Sequence, residues 1–186
     1  MNPKDIQVGT STMEERALET LRAILGRRGL QTNTTAGDGV YTIGDKVVVF
    51  LTKNPTKMTI DKLIEEHSKN LIIVTIQPPS ESIRAHMRMY AEDGVQMFHL
   101  RQLQFDIATH QKYWFPCRML TKDEQTALME SLRITTLSRL PKVSYDDPVP
   151  LWLGSKPGDV LMYEIPSETA GWSRKYRYVV TNVDEV

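Results

Sequence analysis

The sequence predicts an α+β protein of two domains, and three observations predict it. Strongly apolar strand-like runs alternate with amphipathic helical stretches up to about residue 109, the order expected of a small, mainly parallel α/β layer. Beyond that point the rhythm changes to short extended runs, two helices with clear start signals and two strands flanking a polar loop, which reads as a compact α+β unit. The chain has 186 residues, 40% hydrophobic and 25% charged, enough for one large or two small globular domains. Residues 1–12 read as a flexible arm, 13–109 as an N-terminal domain and 110–186 as a C-terminal domain.

The elements follow in chain order. Ser11 stands three residues before Glu14, a capping-box spacing, and Ala17, Leu18, Leu21, Ile24 and Leu25 follow at helical intervals before Gly29 stops the helix. Val40 to Ile43 reads as a strand, Gly44-Asp45 as a turn, and Lys46 to Thr52 as an apolar strand covered on both faces. Thr59 to Lys69 reads as a helix with Ile60, Leu63 and Ile64 inward, and Leu71 to Gln77 as a second buried strand. Pro78-Pro79 breaks the chain, Ser80 caps a helix carrying Ile83, Met87 and Tyr90, and Val95 to His99 is a third strand. In the second half, Tyr113, Trp114, Phe115 and Pro116 form an aromatic junction and Cys117 to Leu120 a short strand. Thr121 and Glu124 open a helix running to about Leu132, and Leu140 to Val143 is extended. Asp147-Pro148 starts a short helix ended by Gly154, and strands at Asp159 to Ile165 and Lys175 to Thr181 flank the loop Ser167 to Gly171.

Lys+Arg and Asp+Glu number 23 each, for zero net charge. A protein living on phosphate contacts is usually basic, so any DNA contact is local or shared. The single cysteine, Cys117, makes neither an internal disulfide nor a cysteine-rich metal site and fits a reducing compartment. No run approaches the roughly 20 apolar residues of a membrane helix, and the first dozen residues lack the pattern of a signal peptide.

Catalytic constellations are missing. His67, His86, His99 and His110 are scattered without ligand spacing. Cys117 has Arg118 beside it, but neighbours on a strand face opposite ways, so a buried structural thiol is the better reading. Gly154-Ser155-Lys156-Pro157-Gly158 is too short for a phosphate loop and lacks its Gly-Lys-Ser/Thr ending; it reads as a turn. Ser167-Glu168-Thr169 has no nearby histidine base, which leaves a backbone-bonded turn or a recognition loop. The helix after Pro79-Ser80 carries Arg84 and Arg88 on roughly one face, so its N-terminus suits either a phosphate or an ordinary solvated basic face.

From Thr109-His110 onwards the chain resembles one family. The ordered blocks are Thr121-Lys122-Asp123-Glu124, Leu140-Pro141-Lys142, Asp147-Pro148-Val149, Leu153-Gly154 with Lys156 and Gly158, Pro166 to Gly171, and Tyr176-Arg177. Together they resemble the fifth subunit shared by the eukaryotic nuclear RNA polymerases and its shorter archaeal counterpart. The resemblance implies a C-terminal assembly domain that docks on the largest polymerase subunit and contacts other subunits. It also implies an N-terminal jaw with a nuclease-like but inactive core near downstream duplex DNA, touched weakly and locally.

On matching positions it implies partner-binding roles for Leu140, Pro141, Asp147, Pro148, Gly154, Lys156, Gly158, Ser167, Glu168, Thr169, Tyr176 and Arg177. Pro79 and Ser80 match a loop facing DNA, and Arg84 is added because it lies one turn further on. No cofactor, no metal, no catalysis by this chain alone, no membrane and no self-association are expected. The expected place of work is the nucleus or cytoplasm, or a viral factory or virion if the polymerase is viral. Ile165 and Trp172 stand where the family usually carries arginine. With a short jaw, these departures suit a large DNA virus. The alternatives are a free adaptor that recruits regulators and a nuclease-like DNA-modifying protein. Against the last, a nuclease site needs a carboxylate before x-Lys on a strand to hold Mg²⁺, and Leu51-Thr52-Lys53 occupies that place. The purified chain is expected to leave supercoiled plasmid uncut in Mg²⁺; metal-dependent nicking lost on Asp45→Ala would overturn this.

Overall fold

A computed structural model describes residues 7–8, 11–36, 39–67, 70–110 and 115–181. The mixed α+β architecture is present, with a five-stranded and a four-stranded sheet, in compact units spanning Met1–Asp106 and Ile107–Val186. Tyr113 and Trp114 of the aromatic junction, Lys69 at the end of the second helix and most of the arm lie outside the described residues. Within the arm, β1 (Gln7–Val8) pairs antiparallel with β2 (Ser11–Thr12).

Unit 1 is built on the order β3-β4-β5-β6-β7, with β3 at Thr34–Ala36, β4 at Val40–Ile43, β5 at Lys46–Leu51, β6 at Leu71–Thr75 and β7 at Gln96–His99. The expectation of a mainly parallel layer is corrected. The β3–β4 and β4–β5 pairings are antiparallel, and only β5–β6 and β6–β7 are parallel. The cause is local: Gly44-Asp45 leaves room only for a hairpin between β4 and β5, whereas the parallel pairs are joined by helical crossovers. Gly44 has a φ of +61°, and a Cβ there would meet the Gln31 carbonyl oxygen at 2.3 Å.

Helices cover both faces of this sheet. One face packs Val49, Leu71 and Ile73 against Ile60 of α2 (Lys57–His67) and Ile83 and Met87 of α3 (Glu81–Arg88). The alternate residues Val48, Phe50, Ile72, Val74 and Phe98 are buried on the opposite face. There lies α1 (Met13–Arg27), whose Ala17, Leu18, Leu21, Ile24 and Leu25 are all buried. Polar contacts fix it in place: the Tyr41 hydroxyl donates to the buried Glu14 carboxylate, and Arg28 donates to Gln96 at 2.8 Å. Burial lowers the Arg28 pKa to about 10, and Arg27 grips Asp106 with two guanidinium nitrogens. The capping box of α1 is Thr12 with Glu15, one residue later than the Ser11–Glu14 spacing suggested. The reason is that Glu14 faces inward to Tyr41.

Unit 2 has the order β8-β10-β11-β9, with β8 at Cys117–Met119, β9 at Lys142–Ser144, β10 at Val160–Ser167 and β11 at Gly171–Val180. The first two pairings are antiparallel and β11–β9 is parallel. On one face Val160 and Met162 pack with Leu120, Leu128 and Leu140, joined by Tyr176 and Tyr178. Leu128 belongs to α4 (Lys122–Leu132), which opens on the expected Thr121–Glu124 capping box. The other face buries Leu161 and Val179, and Leu151 and Trp152 of α5 (Pro148–Leu153) are buried as well.

The Glu124 carboxylate also takes two bonds from Arg118 of β8, at 2.8 and 2.6 Å. Arg118 first, and then the Thr121 N–H, hold the Glu124 carboxyl down at about 2. A depressed carboxylate contributes stability above its unfolded pKa and loses it as pH falls through the folded value.

Gly44→Ala is expected to lower stability by about 2 kcal/mol or more, because it combines left-handed strain with a backbone clash, as read by chemical denaturation. Acid titration of stability should show a loss between the ordinary glutamate range and about pH 2 that Glu124→Gln removes.

Candidate functional site

The β10–β11 hairpin and the chain around α5 carry most of the residues that the resemblance singles out. Ser167 pairs with Gly171 at the hairpin tip and Val160 with Tyr178 at its base, seven residues apart and so separated by about 23 Å at strand rise. The polar loop is tighter than expected, because the strands run right up to Ser167 and Gly171. Only Glu168, Thr169 and Ala170 remain between them, and all are exposed. The Ser167 hydroxyl accepts from the Ala170 N–H at 3.3 Å and Trp172 N–H donates to Ala170 O at 2.8 Å. The hydroxyl is thus engaged in shaping the turn, while the Glu168 side chain projects from it.

The base is held by the sequence Asp147 to Gly158. Asp147 takes the N-cap position of α5 and Pro148 the first helical position, while Gly154, at φ +72°, ends the helix in the left-handed region. Ser155 Oγ donates to Pro150 O at 3.1 Å, and Asp159 accepts the Lys156 backbone N–H at 2.8 Å. A carboxylate therefore occupies the place an anion would need, so this segment is a turn between α5 and β10. Gly158 N–H then donates to Val179 O at 2.9 Å, tying the turn to β11.

The candidate residues divide by exposure. Leu140 is buried in the core and Tyr176 packs against it. The Pro141 carbonyl accepts from Tyr178 N–H at 2.9 Å, and Arg177 is half-buried with one nitrogen on Tyr176 O. Asp147, Pro148, Lys156, Glu168 and Thr169 are exposed. At the two departures from the family pattern, Ile165 is half-buried opposite Ser173, and Trp172 is 62% exposed opposite Pro166. Burial pushes the Cys117 thiol up to about 11, so it stays protonated near neutrality and is a poor nucleophile.

In unit 1, Ser80 precedes α3 with the backbone of an N-cap but makes no side-chain capping bond. The reading of Ser80 as a side-chain cap is corrected accordingly. Arg84 is exposed. Arg88 does not share its role, because its guanidinium turns back to Glu81 at 2.9 Å. His86 and His99 are structural rather than plain surface residues. Asp61 of α2 receives both His86 Nε2 at 2.6 Å and the Tyr90 hydroxyl at 2.8 Å, and these bonds, Tyr90 first, hold its carboxyl below the usual range. His99 Nε2 bonds Ile76 O at 2.8 Å, and burial lowers its pKa. Among the described residues no three His, Cys, Asp or Glu side chains form a metal-ligand cluster, and no helix is long and apolar enough to cross a membrane. Sequence reasoning missed Tyr163, which lines a groove together with Asp147; no local pattern joins positions so far apart.

The family model for the C-terminal domain of RNA polymerase Rpb5 matches residues 105–179. The DNA-directed RNA polymerase subunit Rpo5 of Thermococcus onnurineus is 42% identical over 77 residues, which cover 41% of this chain and 92% of that protein. Rpo5 of Archaeoglobus fulgidus is 42% identical over 62 residues, 33% of this chain and 80% of that protein. The match to the Dictyostelium discoideum subunit rpabc1 of DNA-directed RNA polymerases I, II, and III is 28% identical over 146 residues, 73% of each chain. That last alignment is longer than unit 2, so the likeness continues into unit 1. The chain belongs to the RNA polymerase subunit family that takes in archaeal Rpo5 and eukaryotic Rpb5.

Proposed function

We propose that this chain is a non-catalytic structural subunit of a multisubunit DNA-directed RNA polymerase. Unit 2 docks on the largest subunit as an assembly domain, and unit 1 forms part of a lower jaw beside downstream DNA. One observation carries the docking half. The Thermococcus protein named as a polymerase subunit is matched over 92% of its length by 77 residues of this chain, and the family model falls on 105–179. A relative that is little more than this fold must hold its place in a polymerase through this fold, so the docking surface belongs on unit 2.

The exposed part of the candidate set then supplies the contacts. Glu168 and Thr169 stand at the hairpin tip, and Asp147, Pro148 and Lys156 stand near its base. Leu140, Gly154 and Gly158 act one step back, by holding the core and the turns that present those side chains. For the jaw, support comes from the exposed Arg84 one turn into α3, where a cation adds to the partial positive charge of the helix N-terminus after Pro79-Ser80. Such a contact is local, consistent with a net charge of zero.

Tagged chain recovered from native extract should bring two very large polymerase subunits in near-equimolar amounts, with RNA synthesis in the eluate. Recovery of the chain alone would favour the adaptor reading. Glu168→Ala is expected to reduce incorporation several-fold with little change in melting temperature, because its side chain is exposed. Tyr176→Ala is expected to do the reverse, since its ring packs on the core; equal incorporation of Glu168→Ala would remove the tip from the interface.

A further inference from the structure

We propose that the crevice where β6 and β7 end in unit 1 binds a phosphate group, held by Arg101 and Arg84 with the Gln77 amide beside them. The inference stands apart from the docking and jaw readings, since such a group can belong to a free phosphorylated ligand or to a DNA backbone.

The parallel part of the sheet fixes the place. Leu51, Thr75 and His99 stand in register at the carboxyl ends of β5, β6 and β7, so the segments that follow them gather at one edge. Those segments, 52–56, 76–80 and 100–105, hold Lys53 and Arg101 and not one Asp or Glu. The turns at the opposite edge, 44–45 and 89–95, hold Asp45, Glu92 and Asp93 and not one Lys or Arg. In a chain of zero net charge, these turns give the sheet a cationic end and an anionic end. A negatively charged ligand is drawn to the first.

At that end lies a cavity of about 380 Å³, with Ile76, Pro78 and Leu100 among its apolar walls and Gln77, His99 and Arg101 as its polar groups. Small-ligand sites run to about 300–1,000 Å³. His99 is wall rather than ligand: its Nε2 lies 2.8 Å from Ile76 O, and because a carbonyl only accepts, that nitrogen carries the proton and is already engaged. Gln77 Oε1 accepts from Asn54 Nδ2 at 3.3 Å, which leaves the Gln77 amide hydrogens to donate. Arg101 is exposed, and so is Arg84 on α3. The charges of both reach the His99 ring. Burial is the largest cause of its lowered pKa, and Arg101 and Arg84 add to it against the Ile76 bond. Two guanidiniums therefore stand about one cavity. Elsewhere in unit 1, Arg22, Arg27, Arg28 and Arg88 each donate to a side-chain acceptor. Among the described residues, Arg84 and Arg101 have no hydrogen-bond or ion-pair partner. Two like charges near one ring, with no carboxylate between them, repel each other. A phosphate relieves that repulsion, and its oxygens match the planar fork of a guanidinium.

The test titrates the full chain at low salt with adenosine monophosphate, by calorimetry, and with a short fluorescent DNA duplex, by anisotropy. Arg101→Gln and Arg84→Gln are each expected to weaken binding about tenfold, the loss of one hydrogen bond to a charged group, with melting temperatures unchanged. For the duplex, each variant should also lower the slope of log affinity against log salt by about one. Arg139→Gln, the same charge change at an exposed position of unit 2, should match wild type. Binding of the duplex without the nucleotide assigns the phosphate to a DNA backbone, and nucleotide binding that the duplex does not displace assigns it to a free ligand; both sustain the site. Failure to bind either probe overturns it. Duplex binding that Arg101→Gln leaves unchanged also overturns it, while leaving the jaw reading intact.

Discussion

Each unit depends on a strand that must be covered on both faces. All five residues of β6 are buried, and Val160, Leu161 and Met162 of β10 are buried in succession. Consecutive side chains on a strand point to opposite sides, so such a run can exist only between two layers. In unit 1 this requirement places α2 and α3 on one side and α1 on the other. In unit 2 it places α4 opposite α5. The polar contacts are subordinate to this burial: Glu14 with Tyr41, Arg28 with Gln96 and Asp61 with His86 each fix how a covering helix is rotated once it is in place.

The family signature divides into residues that make the fold and residues that the fold leaves exposed. Leu140 is core, Gly154 ends a helix, and the Gly158 N–H anchors a turn on β11. Asp147, Lys156 and Glu168 are exposed on scaffolding that those residues hold. A short sequence pattern can therefore define a family even though only part of it faces solvent. The same division bears on catalysis. The groups that look reactive in the sequence are engaged elsewhere: Cys117 is desolvated, the Ser167 hydroxyl shapes a turn, and the Lys156 backbone is held by Asp159.

Much of this was legible in the sequence because it is local. Helical spacing from Ala17 to Leu25, the Thr121–Glu124 box, Pro148 at a helix start and the unbroken apolar runs each state their structure within a few residues. The failures have equally definite causes. Two overlapping capping patterns begin at Ser11 and Thr12, and only the distant Tyr41 decides between them. Thr34–Ala36 is polar and partly exposed at a sheet edge, so it carries no apolar alternation. The groove draws on residues from Ile107 to Tyr163, a gathering that only the sheet order of unit 2 produces. The resemblance implied a contact role for Asp147 but could not show that Tyr163 lines the same groove.

The outer part of the β10–β11 hairpin has a geometric consequence. β8 pairs with β10 only as far as Tyr163, and β9 with β11 only from Tyr178; among the described residues no third strand flanks the stretch beyond. The reach of Glu168 is therefore set by strand length alone, and strand length is quantised. Adding one residue to each strand would turn the outward-facing side chains to the other face, whereas adding two restores the face and carries the tip outward by about 7 Å. Descendants of this chain can lengthen or shorten this arm without turning its tip over only in paired steps of two.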